Sequence, residues 1–495
     1  MRAFLRVVVL AVGLIAALAG LALGTAAATA PQQPTASSSV PWAFDCAEVQ
    51  EIPLAECRAL VDLFQSTNGP QWDRKLGWLQ TYTPCSTPWR GVTCADGHVA
   101  SLQLQDNNLS GPLPASLGDL RRLQSLNLAN NDLTGSLPST LGALAALESL
   151  LLSNNQLSGP IPSSLGNLTA LRTLALDANQ LSGPIPAALG NLAQLQTLNL
   201  SSNQLSGSIP GALGGLSDLR ELRLGSNQLS GPIPDALSNL AQLRRLALSR
   251  NQLSGPIPAA LAALPALEEL WLDTNRLEGE IPAALGNLAT VRLLNLSRNR
   301  LSGALPPALG NLTALQELGL ASNRLTGPVP DALCNLSSLL DIDLNYNAFT
   351  SGPACLDAID TFWRRTQTVP PTNLQAAVSA NTVRLTWMPI RYAFDQGYYE
   401  ISMAAAGGEF RVLGATESKL AAEYTVTDLA DGVYTFRVRT FTAAHEDPPA
   451  LQINDLWSEY TDPVTVTVGN PRPRGRTWFF PRVEARPARP GLRSP

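Results

Sequence analysis

Only two histidines occur in 495 residues, His98 and His445. A histidine dyad or a multi-histidine metal site is therefore out of reach. His98 lies two residues from Asp96, yet no serine or cysteine nucleophile is set beside it, so a structural role is expected. The motifs G-x-S-x-G, H-E-x-x-H, G-x-G-x-x-G and the P-loop are absent. An enzyme would have to rest on a carboxylate pair such as Glu268/Glu269, which sits on a solvent-facing strand edge. No catalytic residue, metal or cofactor is expected. Six cysteines fall in two groups: Cys46, Cys57, Cys85 and Cys94, then Cys334 and Cys355. No C-x2-C knuckle occurs, which disfavours zinc and favours disulfides. Charged residues make up 15% and the net charge is −5, too mild for a nucleic-acid partner of the whole chain.

What remains is chemistry of recognition, and a repeat positions it. Asparagine recurs every 24 residues without a slip, at Asn107, Asn131, Asn155, Asn179, Asn203, Asn227, Asn251, Asn275, Asn299, Asn323 and Asn347. Glycine follows four residues later from Gly111 to Gly327, and proline seven residues later from Pro114 to Pro330. Such a register marks a repeat architecture. In L-x-L-x-x-N-x-L the leucines alternate with polar residues, a strand with one buried face. Leucines flank the asparagine, so its amide lies inside and needs partners, which stacked turns supply as a ladder. One repeat cannot cover its leucines, and stacking buries them. Strands about 4.8 Å apart give an eleven-strand parallel sheet roughly 50 Å long.

The outward residues of that sheet are the binding candidates. Early repeats offer mostly Ser, Asn, Ala, Thr and Leu. Later ones offer Glu221, Arg223, Arg245, Glu269, Trp271, Asn295 and Arg298, with Arg250 and Glu317. Trp271 lies between inward Leu270 and Leu272, so alternation turns it outward. A lone outward tryptophan near arginine has the character of an interface anchor.

Residues 99–350 resemble the plant-type leucine-rich repeat, L-x-x-L-x-L-x-x-N-x-L-S-G-x-I-P-x-x-L-G-x-L. The resemblance implies an α/β-type solenoid of eleven 24-residue repeats: a curved parallel sheet inside, short 3₁₀ segments outside, and an extra strand at S-G-x-I-P. Ser351-Gly352-Pro353 is shifted and no I-P follows, so the solenoid is expected to end there. Residues 42–98 resemble the N-terminal cap of that family. Leu54, Cys57, Val61 and Phe64 share a helical face, and Trp72, Trp78 and Trp89 precede Gly91-Val92-Thr93-Cys94. The cap motif implies a Cys85–Cys94 pair, which leaves Cys46 with Cys57. Cys334 and Cys355 flank the last repeat and are expected to bridge it to a C-terminal cap within 351–369.

After Pro370-Pro371 the pattern changes to short alternating strands: Val383, Leu385, Trp387; Tyr399, Ile401; Tyr434, Phe436, Val438. Residues 370–468 read as an all-β sandwich and resemble a fibronectin type III domain. Leu429 and Gly432 match its tyrosine corner, although Tyr434 follows Gly432 one residue early. A chain ending at Val369 is expected to fold alone, because repeat stability is mostly nearest-neighbour.

Arg2 and Arg6 precede an apolar run from Val7 to Leu23 and then small residues to Ala30, a signal peptide over 1–30 with a retained anchor as the alternative. Residues 31–41 read as a linker, and 469–495, with seven Arg and six Pro, as a basic disordered tail. The expectation is a monomeric, secreted or cell-surface scaffold without catalysis and without a membrane span after signal cleavage. Its concave face would bind an extracellular protein, peptide or glycan. The other readings are a structural surface or matrix protein, and a polysaccharide-binding or glycosidase-inhibitor-like protein.

Overall fold

The structure, a computed structural model, describes residues 44–393, 395–444 and 454–469. The expected signal peptide, linker and basic tail lie outside the described residues. Three-residue strands recur once per repeat, from Ser125–Asn127 to Asp341–Asp343. They extend a hairpin, Val92–Ala95 with His98–Gln103, into a twelve-stranded sheet. Past that antiparallel first pair, all strands run parallel with residue i opposite i+24. The middle residue of each strand points inward: Leu174, Leu198, Leu222 and Leu246 are fully buried.

A second parallel sheet of eleven strands runs from Ser110–Pro112 to Ala348–Ser351. It forms at the S-G-x-I-P segments. Its glycines must stay glycine: Gly183 has φ +78, a conformation that costs other residues about 1–2 kcal/mol. Proline then sets an extended entry to each 3₁₀ turn, as Pro186 (φ −65) does before Ala187–Asn191.

The buried amides join the turns. Asn179 donates from Nδ2 to Leu152 O of the preceding repeat (3.0 Å) and to Leu176 O of its own (3.1 Å). Its Oδ1 accepts from Leu157 N, also of the preceding repeat, at 3.0 Å. The same set recurs at Asn131, Asn155, Asn203, Asn227, Asn251, Asn275, Asn299, Asn323 and Asn347. Asn107, at the first turn, instead accepts from Arg74 N through Oδ1 and so ties the ladder to the cap.

Both ends are closed. At the N-terminal end the only α-helix among the described residues, Leu54–Ser66, covers the first repeat. Its buried face is Glu56, Cys57, Ala59, Leu60 and Leu63, whereas Leu54 is 43% exposed. The apolar spacing read from the sequence therefore points about a quarter-turn away from the true face. The Cys46–Cys57 disulfide and buried Glu56, which holds His98 Nδ1 (2.6 Å) and Val99 N (2.8 Å), set the rotation. Trp72, Trp78 and Trp89 pack in sequence, centroids 4.9 and 5.1 Å apart, behind Cys85–Cys94. At the other end Cys334–Cys355 and the buried Trp363 seal Phe349.

The C-terminal part is two antiparallel sheets. Thr372–Ser379, Thr382–Met388 and Glu423–Val426 form one. The other has Arg411–Ala415, Tyr398–Ala405 and Gly432–Thr442, with Leu456–Trp457 and Val464–Val468 both paired to the last. Val383, Trp387, Tyr399, Ile401, Phe436 and Val438 fill the space between. Tyr434 Oη donates to Ala430 O at 3.0 Å, the corner bond that the early tyrosine still reaches.

The junction between solenoid and sandwich is packed. Gln367 and Thr368 are buried. Thr368 Oγ1 donates to Thr442 Oγ1 (2.6 Å) and Thr440 Oγ1 to Val369 O (2.7 Å). Asn454 Nδ2 reaches back to Asn299 O (2.6 Å) and Ser322 O (3.2 Å). Tyr346 of the last repeat meets Tyr392, with centroids 5.8 Å apart. Behind Tyr392, Lys419 Nζ donates to Asp395 Oδ2 (2.5 Å) and Thr442 Oγ1 (3.1 Å), with both charged side chains fully buried. Burial pushes the Lys419 pKa down, and Asp395 only partly restores it. A buried pair of this kind costs several kcal/mol if one partner is removed.

Two outcomes follow. Replacing Asn227 by Leu strands Leu200 O, Leu224 O and Leu205 N, and we expect a loss of about 1–3 kcal/mol in urea titrations; an unchanged midpoint would sink the ladder argument. In a chain ending at Val369, hydrogen exchange should quicken at least about tenfold in the last three repeats and stay unchanged in the first five, since repeats couple mainly to neighbours. Equal protection throughout would show that the sandwich contributes nothing to the solenoid end.

Candidate functional site

Each three-residue strand of the main sheet shows two side chains to solvent, on either side of a buried leucine or, in the last, of Ile342. Register aligns them in two columns. One carries Thr197, Glu221, Arg245, Glu269, Leu293 and Glu317; the other Asn199, Arg223, Ala247, Trp271, Asn295 and Gly319. Up to Asn199 neither column holds a charge, and from residue 221 onward charge concentrates.

The middle of the face is a network. Glu269 accepts from Arg245 across one repeat and from Trp271 Nε1 within its own strand (3.0 Å). Arg223 and Glu221 pair at 2.7 Å one repeat earlier. Burial works against the Glu269 charge, but the bonds from Arg245 and Trp271 and the charges of Arg245 and Arg223 outweigh it. Its carboxyl is held below the ordinary value, and Arg245 is held above its own mainly by the Glu269 bond. The Nε donors of Arg223 and Arg245 are buried and unpaired. Trp271 is half-buried and its N–H is committed, so the indole offers a fixed face. Asn295 lies directly beside it in register, with Oδ1 accepting from Ser297 N at 3.1 Å. Gly319 leaves room there, since a Cβ would approach Asn295 Oδ1 to 2.5 Å.

Six of the seven residues named from the sequence thus stand on adjacent strands of one face. Arg298 does not: it lies in the turn after strand Leu293–Asn295, at φ +57. Beyond the network the face turns acidic. Asp343 and Asp360 share the Asn345 amide at 2.6 and 3.0 Å, and burial raises the Asp343 pKa.

Sequence reasoning passed over a cleft of about 630 Å³ at the N-terminal end, between the cap and the first repeat, lined by Arg74, Leu76, Arg90, Gln103 and Gln105. Gly91 is its one sequence signal. At φ +89 a Cβ would strike Gln103 O at 2.3 Å, so only glycine lets the cap loop approach the first strand.

Family models agree with this architecture. The leucine rich repeat model matches residues 97–157, 169–229, 265–325 and 289–349, and a second leucine-rich-repeat model matches 242–264. The fibronectin type III domain model matches 369–454. The chain is a leucine-rich-repeat protein with a fibronectin type III domain. Its repeats are similar to the Arabidopsis receptor kinase HAESA, solved in complex with the peptide hormone IDA and the co-receptor SERK1: 38% identity, 59% of this chain, 50% of that one, TM-score 0.52. A plant ice-binding protein is similar at 31% identity over 57% of this chain and 90% of its own, TM-score 0.49. A probable leucine-rich repeat receptor-like protein kinase of Arabidopsis thaliana is 39% identical over 56 residues, 11% of this chain and 6% of the kinase. This leucine-rich-repeat chain therefore spans about half the length of the HAESA chain it matches, and a small part of the kinase.

The network carries a pH signature. A carboxyl whose folded pKa is depressed stabilises above its unfolded pKa, and loses that contribution as pH falls through the folded value. With 27% of the Glu269 side chain exposed, solvent screening limits the term to about 1 kcal/mol. Glu269→Gln should therefore lower the urea midpoint at neutral pH and match the parent in acid. A deficit that persists in acid would mean packing, not charge, is what the substitution removes.

Proposed function

We propose that this protein is a non-catalytic scaffold acting outside the cytoplasm, and that the middle of its concave face binds an extended peptide or protein segment. The supporting observation is localisation. A pre-ordered tryptophan, two guanidinium groups and two carboxylates gather on four adjacent strands, from Glu221–Arg223 to Leu293–Asn295, of a face that is otherwise small and neutral on its N-terminal side. A rigid aromatic beside charges already held in place costs little ordering entropy on binding. HAESA, bound to a peptide hormone, supplies the precedent for this architecture. Three disulfides and no free cysteine among the described residues fit an oxidising compartment. The chain is proposed to work as a monomer, with Glu221, Arg223, Arg245, Glu269, Trp271 and Asn295 as contact residues and Arg298 outside the contact.

The test is selection of a displayed random-peptide library on the full chain, followed by affinity measurement of the enriched peptides. Trp271→Ala should weaken them by about 2 kcal/mol, roughly thirtyfold. Asn127 belongs to the same column near its N-terminal end, within the neutral part of the face. Asn127→Ala should therefore leave the affinities within about twofold. Peptides that tolerate both changes equally would place recognition elsewhere.

A further inference from the structure

Two columns of side chains flank the asparagine ladder, away from the concave face. The first is the residue before each ladder Asn, held at positive φ from Asn130 to Tyr346. The second is the residue after it, which from Asp132 onward opens each strand of the second sheet. Up to Gln252 these columns hold Asn, Asp, Ala, Ser and Gln, except that Arg250 stands before Asn251. Then the second column turns to arginine, at Arg276, Arg300 and Arg324, and the first carries Arg298 between Thr274 and Ser322. Arg250, Arg276, Arg300 and Arg324 are exposed and Arg298 is half-buried. None of these five guanidinium groups has an ion pair or hydrogen bond with a described residue. Glu278, in register with Arg300, forms no ion pair with it.

Arg250 and Arg298 sit at φ +56 and +57. Asparagine adopts that conformation more readily, so arginine is placed there at a backbone cost. Second-sheet strands pair residue i with i+22, as Ser254 with Arg276 and Ser302 with Arg324. Equivalent residues are therefore staggered by two positions per turn. A strand spacing of about 4.8 Å and a stagger of about 6.6 Å start successive arginines about 8 Å apart. The result is a run of guanidinium groups without an ionic partner among the described residues, on a molecule of net charge −5. Asn454 of the sandwich bonds Asn299 O, between Arg298 and Arg300, so the C-terminal end of the run lies beside the sandwich.

We propose that this stripe binds an anionic polysaccharide lying along the ladder edge. A guanidinium matches a carboxylate or sulfate group bidentately. A line of them fits a polymer with regularly placed acidic groups better than a small anion. Single-stranded nucleic acid would need stacking rings among the arginines, and between residues 250 and 324 Trp271 is the only aromatic and stands on the concave face. The proposal does not depend on the peptide reading of that face.

Affinity electrophoresis of the full chain in gels containing polygalacturonate, dextran sulfate or neutral dextran tests it. Retardation should occur in one or both anionic gels, telling carboxylate from sulfate preference, and not in dextran. Arg276→Gln/Arg300→Gln/Arg324→Gln restores the glutamine that earlier repeats carry, so it should fold. It should weaken binding at least about tenfold, as expected for loss of three charge-assisted contacts. Arg58→Gln/Arg121→Gln/Arg122→Gln removes the same charge elsewhere and should stay within about twofold. Absence of retardation, equal retardation in dextran, or an equal loss in the two triple variants would each overturn the proposal. So would displacement of the polysaccharide by polyglutamate or by DNA at the same charge concentration.

Discussion

A side-chain amide in an apolar interior must have its donors and acceptor filled, and here the backbone of the neighbouring turn fills them. Asn179 spans Leu152 and Leu157 of the turn before it and Leu176 of its own, and its counterparts do the same. This one requirement sets the spacing and phase of the repeat. A turn one residue longer or shorter would misplace the carbonyls that each amide needs. The leucines supply most of the burial energy, but leucine alone is non-directional and would tolerate slippage. The amide supplies register, and register aligns the outer columns.

That alignment explains why ordinary residues become a site. Glu221, Arg245 and Glu269 are 24 residues apart in sequence yet adjacent in one column. Their side chains can neutralise and orient one another because the sheet holds them there. Trp271 is fixed by the same means, through Glu269. The surface is thus ordered before any partner arrives. The ends are handled differently: aromatic rings and disulfides close the N-terminal turn, and the last turns are covered by a short cap together with a whole sandwich.

The repeat, its inner leucines, the ladder asparagines and the sandwich strands are legible in the sequence, because periodic burial writes a periodic pattern. What was illegible is aperiodic. Arg298 looks like a surface residue of the sheet, but the strand stops at Asn295 and the chain then turns through positive φ. Leu54 looks inward by helical spacing, yet the Cys57 tether and the buried Glu56 rotate the helix. The junction leaves no trace at all. Thr368, Asp395, Lys419 and Thr442 are common polar residues far apart in the chain, and only folding brings them together.

The packed junction also divides the molecule by how freely its length can change. The sandwich touches the solenoid at Asn299, Ser322, Tyr346 and Thr368, and the charged network begins at Glu221. Whole 24-residue units gained or lost before Glu221 would leave both undisturbed, because each turn sees only its neighbours. A unit inserted between Asn295 and Asn347 would instead pull the sandwich contacts apart. Duplication can therefore lengthen the amino-terminal arm like a ruler, while the carboxy-terminal half is bound to a single size.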